Sequence, residues 1–171
     1  MKKDLWTIKI IIMAFTISFV FSLTSELVMP RVHTIISIIL LILFIVIGII
    51  FDMIGVAVTT CDIKAFHSMN AKKIYHAKTG IRLIKNSAKV SSFCNDVIGD
   101  ICGIISGSAG VIISNSVATS LNTNKFITSL IITSIIASLT IGGKAYGKEL
   151  ALKNNTKIIT IFSKIICKFY N

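Results

Sequence analysis

Residues 34–58 restrict the fold of this chain more than any other part of it. They read TIISIILLILFIVIGIIFDMIGVAV, and Asp52 is their one charged residue. An α-helix needs about 20 mostly apolar residues to cross the hydrocarbon core of a bilayer. A soluble core built from 171 residues has no room for a composition that is 54% hydrophobic and 15% charged. The sequence therefore predicts an integral membrane protein.

Three other stretches are apolar enough to be spans, which predicts an all-α helical membrane bundle in a single domain, residues 1–171. Pro30 falls in the short turn between the first two spans, where a helix breaker is expected. Residues 1–27 have a second interpretation as a secretory signal peptide, although no A-x-A-type cleavage site follows them. Cleavage would leave three spans in the same orientation. The predicted spans are residues 7–27, 34–58, 92–115 and 126–144.

The distribution of basic residues predicts the orientation of the spans. Of the eighteen Lys and Arg residues, all but Arg31 and Lys125 lie near the N-terminus, between the second and third spans, or from the end of the fourth span onward. Cytoplasmic loops carry the excess of Lys and Arg, so both termini are predicted to be cytoplasmic in a plasma-membrane protein. The net charge of +11 then flanks a bilayer with anionic lipids, and no nucleic-acid partner is expected.

Two basic segments outside the spans are predicted to be amphipathic helices on the cytoplasmic interface. The connector, residues 62–90, is expected to form one or two short helices. Its two histidines, His67 and His76, are interpreted as surface residues, and metal ligation or pH sensing are the alternatives. The C-terminal segment, residues 155–170, is expected to be a juxtamembrane helix or a helix packed against another protein. Its apolar side carries Ile158, Ile161, Phe162, Ile165 and Phe169, and its basic side carries Lys157, Lys164 and Lys168.

The third span contains an unusual polar stretch, SSFCNDVIGDICGIISGSAG, at residues 91–110. On a helix, Asp96 and Asp100 share a face. Three glycines repeat at the same spacing and form a doubled G-x-x-x-G motif, which lets another helix approach closely. These glycines are Gly99, Gly103 and Gly107.

Asp52 in the second span is expected to lie at the depth of Asp96, about 8–9 Å below the cytoplasmic boundary. Three carboxylates, those of Asp52, Asp96 and Asp100, are then expected to converge in the cytoplasmic half of the bilayer. Acids at this depth need a proton, a cation or a basic partner. Oxygen donors of this kind suit magnesium. The candidate metal ligands are Asp52, Asn95, Asp96 and Asp100.

The order of these features resembles the transmembrane domain of the CNNM/CorC (CorB) family of magnesium transport proteins, over residues 40–171. The most specific match is GKAYGKELALKN, residues 143–154, which is similar to a G-E-x-x-P-K-x-L-A-L-R-N-like stretch of that family. Weaker similarities involve FDMIGVAV, LIKNSAK and the Gly99-Asp100 region. The resemblance implies a homodimer that binds a dehydrated magnesium ion.

Several positions depart from the family pattern. Asp52 stands at a family Ser and Asp100 near a family Asn, so oxygen donors are kept. Gly55 and Lys144, however, stand where the family has glutamates, and Gly147 stands at a family Pro. The Lys144 ammonium is therefore expected to compete with a cation for Asp96 or Asp100. The cytoplasmic CBS pair of the family does not follow in this sequence, so regulation by nucleotide through it is not expected.

Two functions are consistent with these observations. The first is transport of a divalent cation, magnesium above all, with the four candidate ligands binding the ion. The second is a non-transporting accessory or regulatory membrane protein, acting with a separate regulatory partner, in which a Lys144–Asp pair replaces the ion. No nucleophile–base pair, H-E-x-x-H or G-x-S-x-G motif is present, so an enzyme with a resident cofactor is not predicted.

Overall fold

The computed structural model describes the backbone of residues 2–28 and 31–169 and the side chains of residues 6–28 and 31–168. The predicted turn at Pro30 and the side chain of Phe169 lie outside these residues. Every regular element in the described ranges is helical. In chain order the helices are α1 (Lys2–Val28), α2 (Thr34–Thr60), α3 (Ile63–Ala71), α4 (Ala77–Lys85), α5 (Ser87–Ser92), a π-helical segment (Phe93–Gly99), α6 (Asp100–Ser120), α7 (Lys125–Lys153) and α8 (Asn155–Phe169).

Four helices are long and apolar enough to cross a membrane, which confirms the predicted four-span helical class and indicates a multi-pass membrane protein. Each extends beyond the predicted bounds, because hydropathy marks only the apolar part of a helix. The longest extension is that of α7, which continues past residue 144 through Lys, Glu, Ala and Leu, all strong helix formers. The third span is one continuous helix made of α5, the π-helical segment and α6. The bounds of the spans are Trp6–Val28, Thr34–Thr60, Ser87–Ser120 and Lys125–Lys153.

Helix α2 is the centre of the bundle. It packs against α6 and α7 along its length and against the π-helical segment, α5 and α8 near its C-terminal end. Ala57 and Val58 are almost completely buried there, together with Phe66 of α3 and Ile159 of α8. The second half of α2 is therefore enclosed on several sides, and the polar residues of the candidate site lie in this half.

Helix α1 lies at the periphery of the bundle. Among its described side chains only Ser25 is buried. Its apolar residues around Met13 and Ile17 pack onto Val97, Ile101 and Ile105 of the third span. The core formed by α2, α6 and α7 therefore does not include α1.

The short helices and α8 cluster at the end of the bundle where α2 and α7 finish. Asp62 caps α3, with its side chain accepting a hydrogen bond from the Lys64 backbone N–H at 2.9 Å. The side-chain amide of Asn155, at the start of α8, donates to the Thr60 carbonyl at 3.0 Å. These contacts place the basic connector and the C-terminal helix side by side at one end of the spans.

Two glycines of the doubled G-x-x-x-G motif are not points of close approach between helices. A Cβ added at Gly103 or Gly107 would meet nothing within 4 Å. At Gly55 and Gly143, in contrast, an added Cβ would overlap the side chains of Asn95 and Ile49, respectively. The expected close packing at Gly103 and Gly107 is therefore absent within the described chain, and their contact with a second copy stays a prediction.

Candidate functional site

Asp52 is the buried acid of the candidate site. Its side chain is 6% exposed, on the enclosed half of α2. The Lys148 Nζ, from α7, lies 3.6 Å from the Asp52 Oδ2, which is an ion-pair distance but longer than a hydrogen bond. The Asp52 Oδ2 has no hydrogen-bond partner among the described residues. The negative charge of Asp52 is therefore balanced by Lys148, while its Oδ2 can still accept a hydrogen bond or bind a cation.

Asn95 reaches α2 from the π-helical segment Phe93–Gly99. Its side-chain amide lies directly on Gly55, one helical turn after Asp52, in the space that a Cβ at this position would occupy. The Asn95 Nδ2 is 3.5 Å from the Ser91 Oγ, and the Asn95 Oδ1 is buried without a hydrogen-bond partner in the described part of the chain. Turns of π-helix are rare and occur often at functional sites. This turn brings an amide oxygen to the same side of α2 as Asp52.

Lys144 enters the bundle from α7, one turn before Lys148. Its side chain is 22% exposed, and its ammonium donates a hydrogen bond to the Gly99 carbonyl at 3.2 Å. The same Nζ lies 3.7 Å from the Asp100 Oδ1. Gly99 is the last residue of the π-helical segment and Asp100 is the first residue of α6. The Lys144 ammonium therefore contacts the backbone of the former and the side chain of the latter.

The three carboxylates do not converge as expected. Asp100 is 67% exposed at its side chain and Asp96 is also exposed, whereas Asp52 is buried against a different lysine. Within residues 6–28 and 31–168, no group of three or more His, Cys, Asp or Glu side chains is placed to hold a metal ion. The physical reason is that Asp96 and Asp100 lie on the exposed surface of the third span, while Asn95 occupies the place on α2 beside Gly55.

Among the predicted site residues, two pairings are therefore formed instead of one cluster. The Lys144 ammonium contacts the Asp100 carboxylate and the Gly99 carbonyl, as expected if this lysine takes the place of a cation. Asp52 faces Lys148 of α7, while Asn95 lies one helical turn further along α2, on Gly55. Lys148 was not among the predicted site residues. Its spacing of four residues from Lys144 on α7 places both ammonium groups on one helix face and is the signal that predicts it.

The two histidines of the connector differ in burial. His67 is exposed, as predicted, but His76 is only 5% exposed and neither ring nitrogen has a hydrogen-bond partner among the described residues. Burial, helped by the charge of Lys164, lowers the pKa of His76 below its ordinary value. The interpretation of His76 as a surface residue is wrong, because the packing of α4 against α8 covers it.

Comparison with protein-family models, curated proteins and solved structures finds no match to this chain. The resemblance to the CNNM/CorC family therefore stays a prediction.

Proposed function

We propose that this chain is a non-transporting accessory or regulatory membrane protein in which lysine ammonium groups stand at the positions that a transported cation would occupy. The observation that carries the proposal is the Lys144 ammonium, which hydrogen-bonds the Gly99 carbonyl at 3.2 Å and lies 3.7 Å from Asp100. Lys144 is also one of the positions at which the sequence departs from the pattern of magnesium transporters, because that family has a glutamate there.

Charge balance supports the same conclusion. Asp52 faces Lys148 and Asp100 faces Lys144, so each acid that departs from the family pattern already has a positive partner. A divalent cation entering between them would have to overcome repulsion from two ammonium groups at short range, where Coulomb interactions are strong in the low dielectric of a bilayer. Because the lysines are tethered to α7, they compete with any free ion at a high effective concentration.

Divalent-cation transport, of magnesium in particular, is a second candidate that one specific observation favours. The Asp52 Oδ2 and the Asn95 Oδ1 are both buried oxygens without hydrogen-bond partners in the described chain, and both lie at the α2 interface. Magnesium binds proteins through one or two carboxylates and keeps several of its waters. Two such oxygens are enough protein ligands for a magnesium ion that keeps several of its waters.

A flux experiment separates the two functions. The full-length chain is reconstituted into liposomes that contain a magnesium-sensitive dye, and uptake is driven by an imposed magnesium gradient. We expect the wild type to give the background rate of protein-free liposomes. Magnesium entry that is abolished by both Asp52→Asn and Asn95→Ala, but not by the surface control Asp62→Asn, would replace the first proposal with the second.

The Lys144–Asp100 pair makes a separate prediction about stability. Asp100→Asn should lower the free energy of unfolding by about 1 kcal/mol, since it leaves Lys144 without its carboxylate while Asp100 itself is largely exposed. Adding Lys144→Met should restore part of the loss, because it removes the unpaired ammonium. Thermal unfolding in detergent of the wild type, both single variants and the double variant measures this coupling. Additive effects of the two substitutions would contradict the pairing.

A further inference from the structure

Two adjoining cavities lie between α4 and α8, outside the site described above. One has a volume of about 540 Å³ and the other about 400 Å³, and Tyr75 and Cys167 line both. The Thr79 Oγ1 and the Cys167 Sγ are 2.9 Å apart and join the two helices beside the larger cavity. Together the cavities form one groove, called here the α4–α8 groove.

The α4–α8 groove is strongly basic. Arg82 lines the larger cavity, and Lys164 and Lys168 line the smaller one. Among residues 6–28 and 31–168, no acidic side chain lines either cavity. Arg82 is exposed, and none of the acids in the described part of the chain forms an ion pair with it. A planar guanidinium of this kind is suited to two-point contact with a phosphate group.

The groove also has an apolar lining. Leu83, Val90 and Ile166 line the larger cavity together with Arg82. Val90 belongs to the third candidate membrane span, Ser87–Ser120, which it joins near its first residue. Tyr75, Thr79 and Asn86 add hydroxyl and amide groups to the same lining. The groove therefore combines basic, polar and apolar side chains next to the start of a spanning helix.

We propose that the α4–α8 groove binds an anionic phospholipid, with the headgroup phosphate on Arg82 and the lysines and an acyl chain along Leu83, Val90 and Ile166. A soluble phosphate would meet the charge requirement but would leave the apolar lining uncovered. A zwitterionic lipid would cover the apolar lining but would place its own cation among three basic side chains. An anionic phospholipid satisfies both parts, and it is present in the membrane.

Binding is tested with the purified full-length chain in a neutral detergent. Dioleoyl phosphatidylglycerol, dioleoyl phosphatidylcholine and glycerol 1-phosphate are added at matched concentrations, and native mass spectrometry and thermal unfolding report binding. We expect one phosphatidylglycerol to remain bound per chain and to raise the unfolding temperature, with no comparable effect of the other two compounds. Arg82→Gln should weaken phosphatidylglycerol binding about five-fold, the effect of one basic side chain at an anionic lipid surface.

Two controls separate a built site from general attraction to a basic surface. Lys64→Gln removes an exposed charge of the same connector outside the groove and should leave binding unchanged. Ile166→Trp narrows the groove without changing the charge and should weaken binding. If Arg82→Gln fails to fold, Lys168→Gln, an exposed residue of the groove, takes its place with the same expected loss.

Three results would overturn the proposal. The first is equal binding of phosphatidylcholine and phosphatidylglycerol. The second is an Arg82→Gln variant, or its Lys168→Gln substitute, that binds phosphatidylglycerol as the wild type does. The third is stabilisation by glycerol 1-phosphate as large as that by phosphatidylglycerol, which would assign the groove to soluble phosphate compounds instead.

Discussion

Gly55→Leu is expected to destabilise the bundle by about 3 kcal/mol or more, at the upper end of the cost of overpacking a core. A Cβ at this position would overlap the Asn95 amide, and a whole leucine side chain has no space between α2 and the π-helical segment. Either the two helices must separate or the π-helical segment must rearrange. Thermal unfolding in detergent, together with the elution profile of the purified protein, measures the loss.

The same substitution at Gly107 is the matched control, because an added Cβ there would meet nothing within 4 Å. Gly107→Leu should unfold at the temperature of the wild type. A second control combines Gly55→Ala with Asn95→Ala, which removes the overlapping amide and should recover much of the stability that Gly55→Ala alone loses. A Gly55→Leu variant as stable as the wild type would contradict the close approach described here.

Gly107→Leu has a further use, since the predicted homodimer would pack a second copy on this glycine face. If the variant keeps its stability but shifts from dimer to monomer in light scattering, the face is an interface between copies. If the wild type is already monomeric under the same conditions, the homodimer prediction is wrong.

Phe66→Ala is expected to remove about 3–5 kcal/mol from the free energy of unfolding, the cost of deleting a buried aromatic side chain. Phe66 of α3 is completely buried and belongs to the cluster that joins α3 to α2, α7 and α8. Its ring also lies against Gly80 of α4, where even a Cβ would overlap it. Loss of the ring leaves a cavity at the point where five helices meet, and thermal unfolding reports the cost.

Phe126→Ala removes the same atoms from a side chain that is 71% exposed at the other end of α7. It should change the unfolding temperature little, because no packed neighbours are lost. Phe66→Leu should fall between the two, since leucine fills part of the cavity. If Phe66→Ala and Phe126→Ala have the same effect, the cluster around Phe66 does not hold the connector on the bundle.

The spans were predictable because long apolar runs have few alternatives in a chain of this composition. Their ends were not, since α7 runs on to Lys153 through residues that are polar yet strong helix formers. The third span begins at Ser87 rather than at 92, five residues before its continuous apolar part. Hydropathy reports where a helix is surrounded by lipid, whereas helix length also depends on propensity and on capping.

The candidate site was predictable only in part. A contact of Lys144 with Asp96 or Asp100 was expected from the place of this lysine in the family resemblance, and it is formed with Asp100. The pairing of Asp52 with Lys148 depends on how α7 is rotated about its axis relative to α2. This rotation is set by the packing of the Ile49 and Met53 side chains against the glycines of α7. The position of Asn95 depends on the π-helical segment, and helical periodicity with 3.6 residues per turn cannot reveal that wider turn.

The π-helical segment gives the third span one residue to spare. A wide turn holds one residue more than a regular α-helical turn would hold over the same rotation. Deleting a single amino acid within residues 93–99 would therefore let the segment close as regular α-helix, while the helix on either side keeps its present phase. Trp6, whose ring lies 4.8 Å from the Lys89 Nζ, should keep that partner, whereas the Asn95 amide, inside the segment, should lose its place on Gly55. The contact of the polar amide with α2 thus depends on the extra residue, and the contact of Trp6 with Lys89 does not.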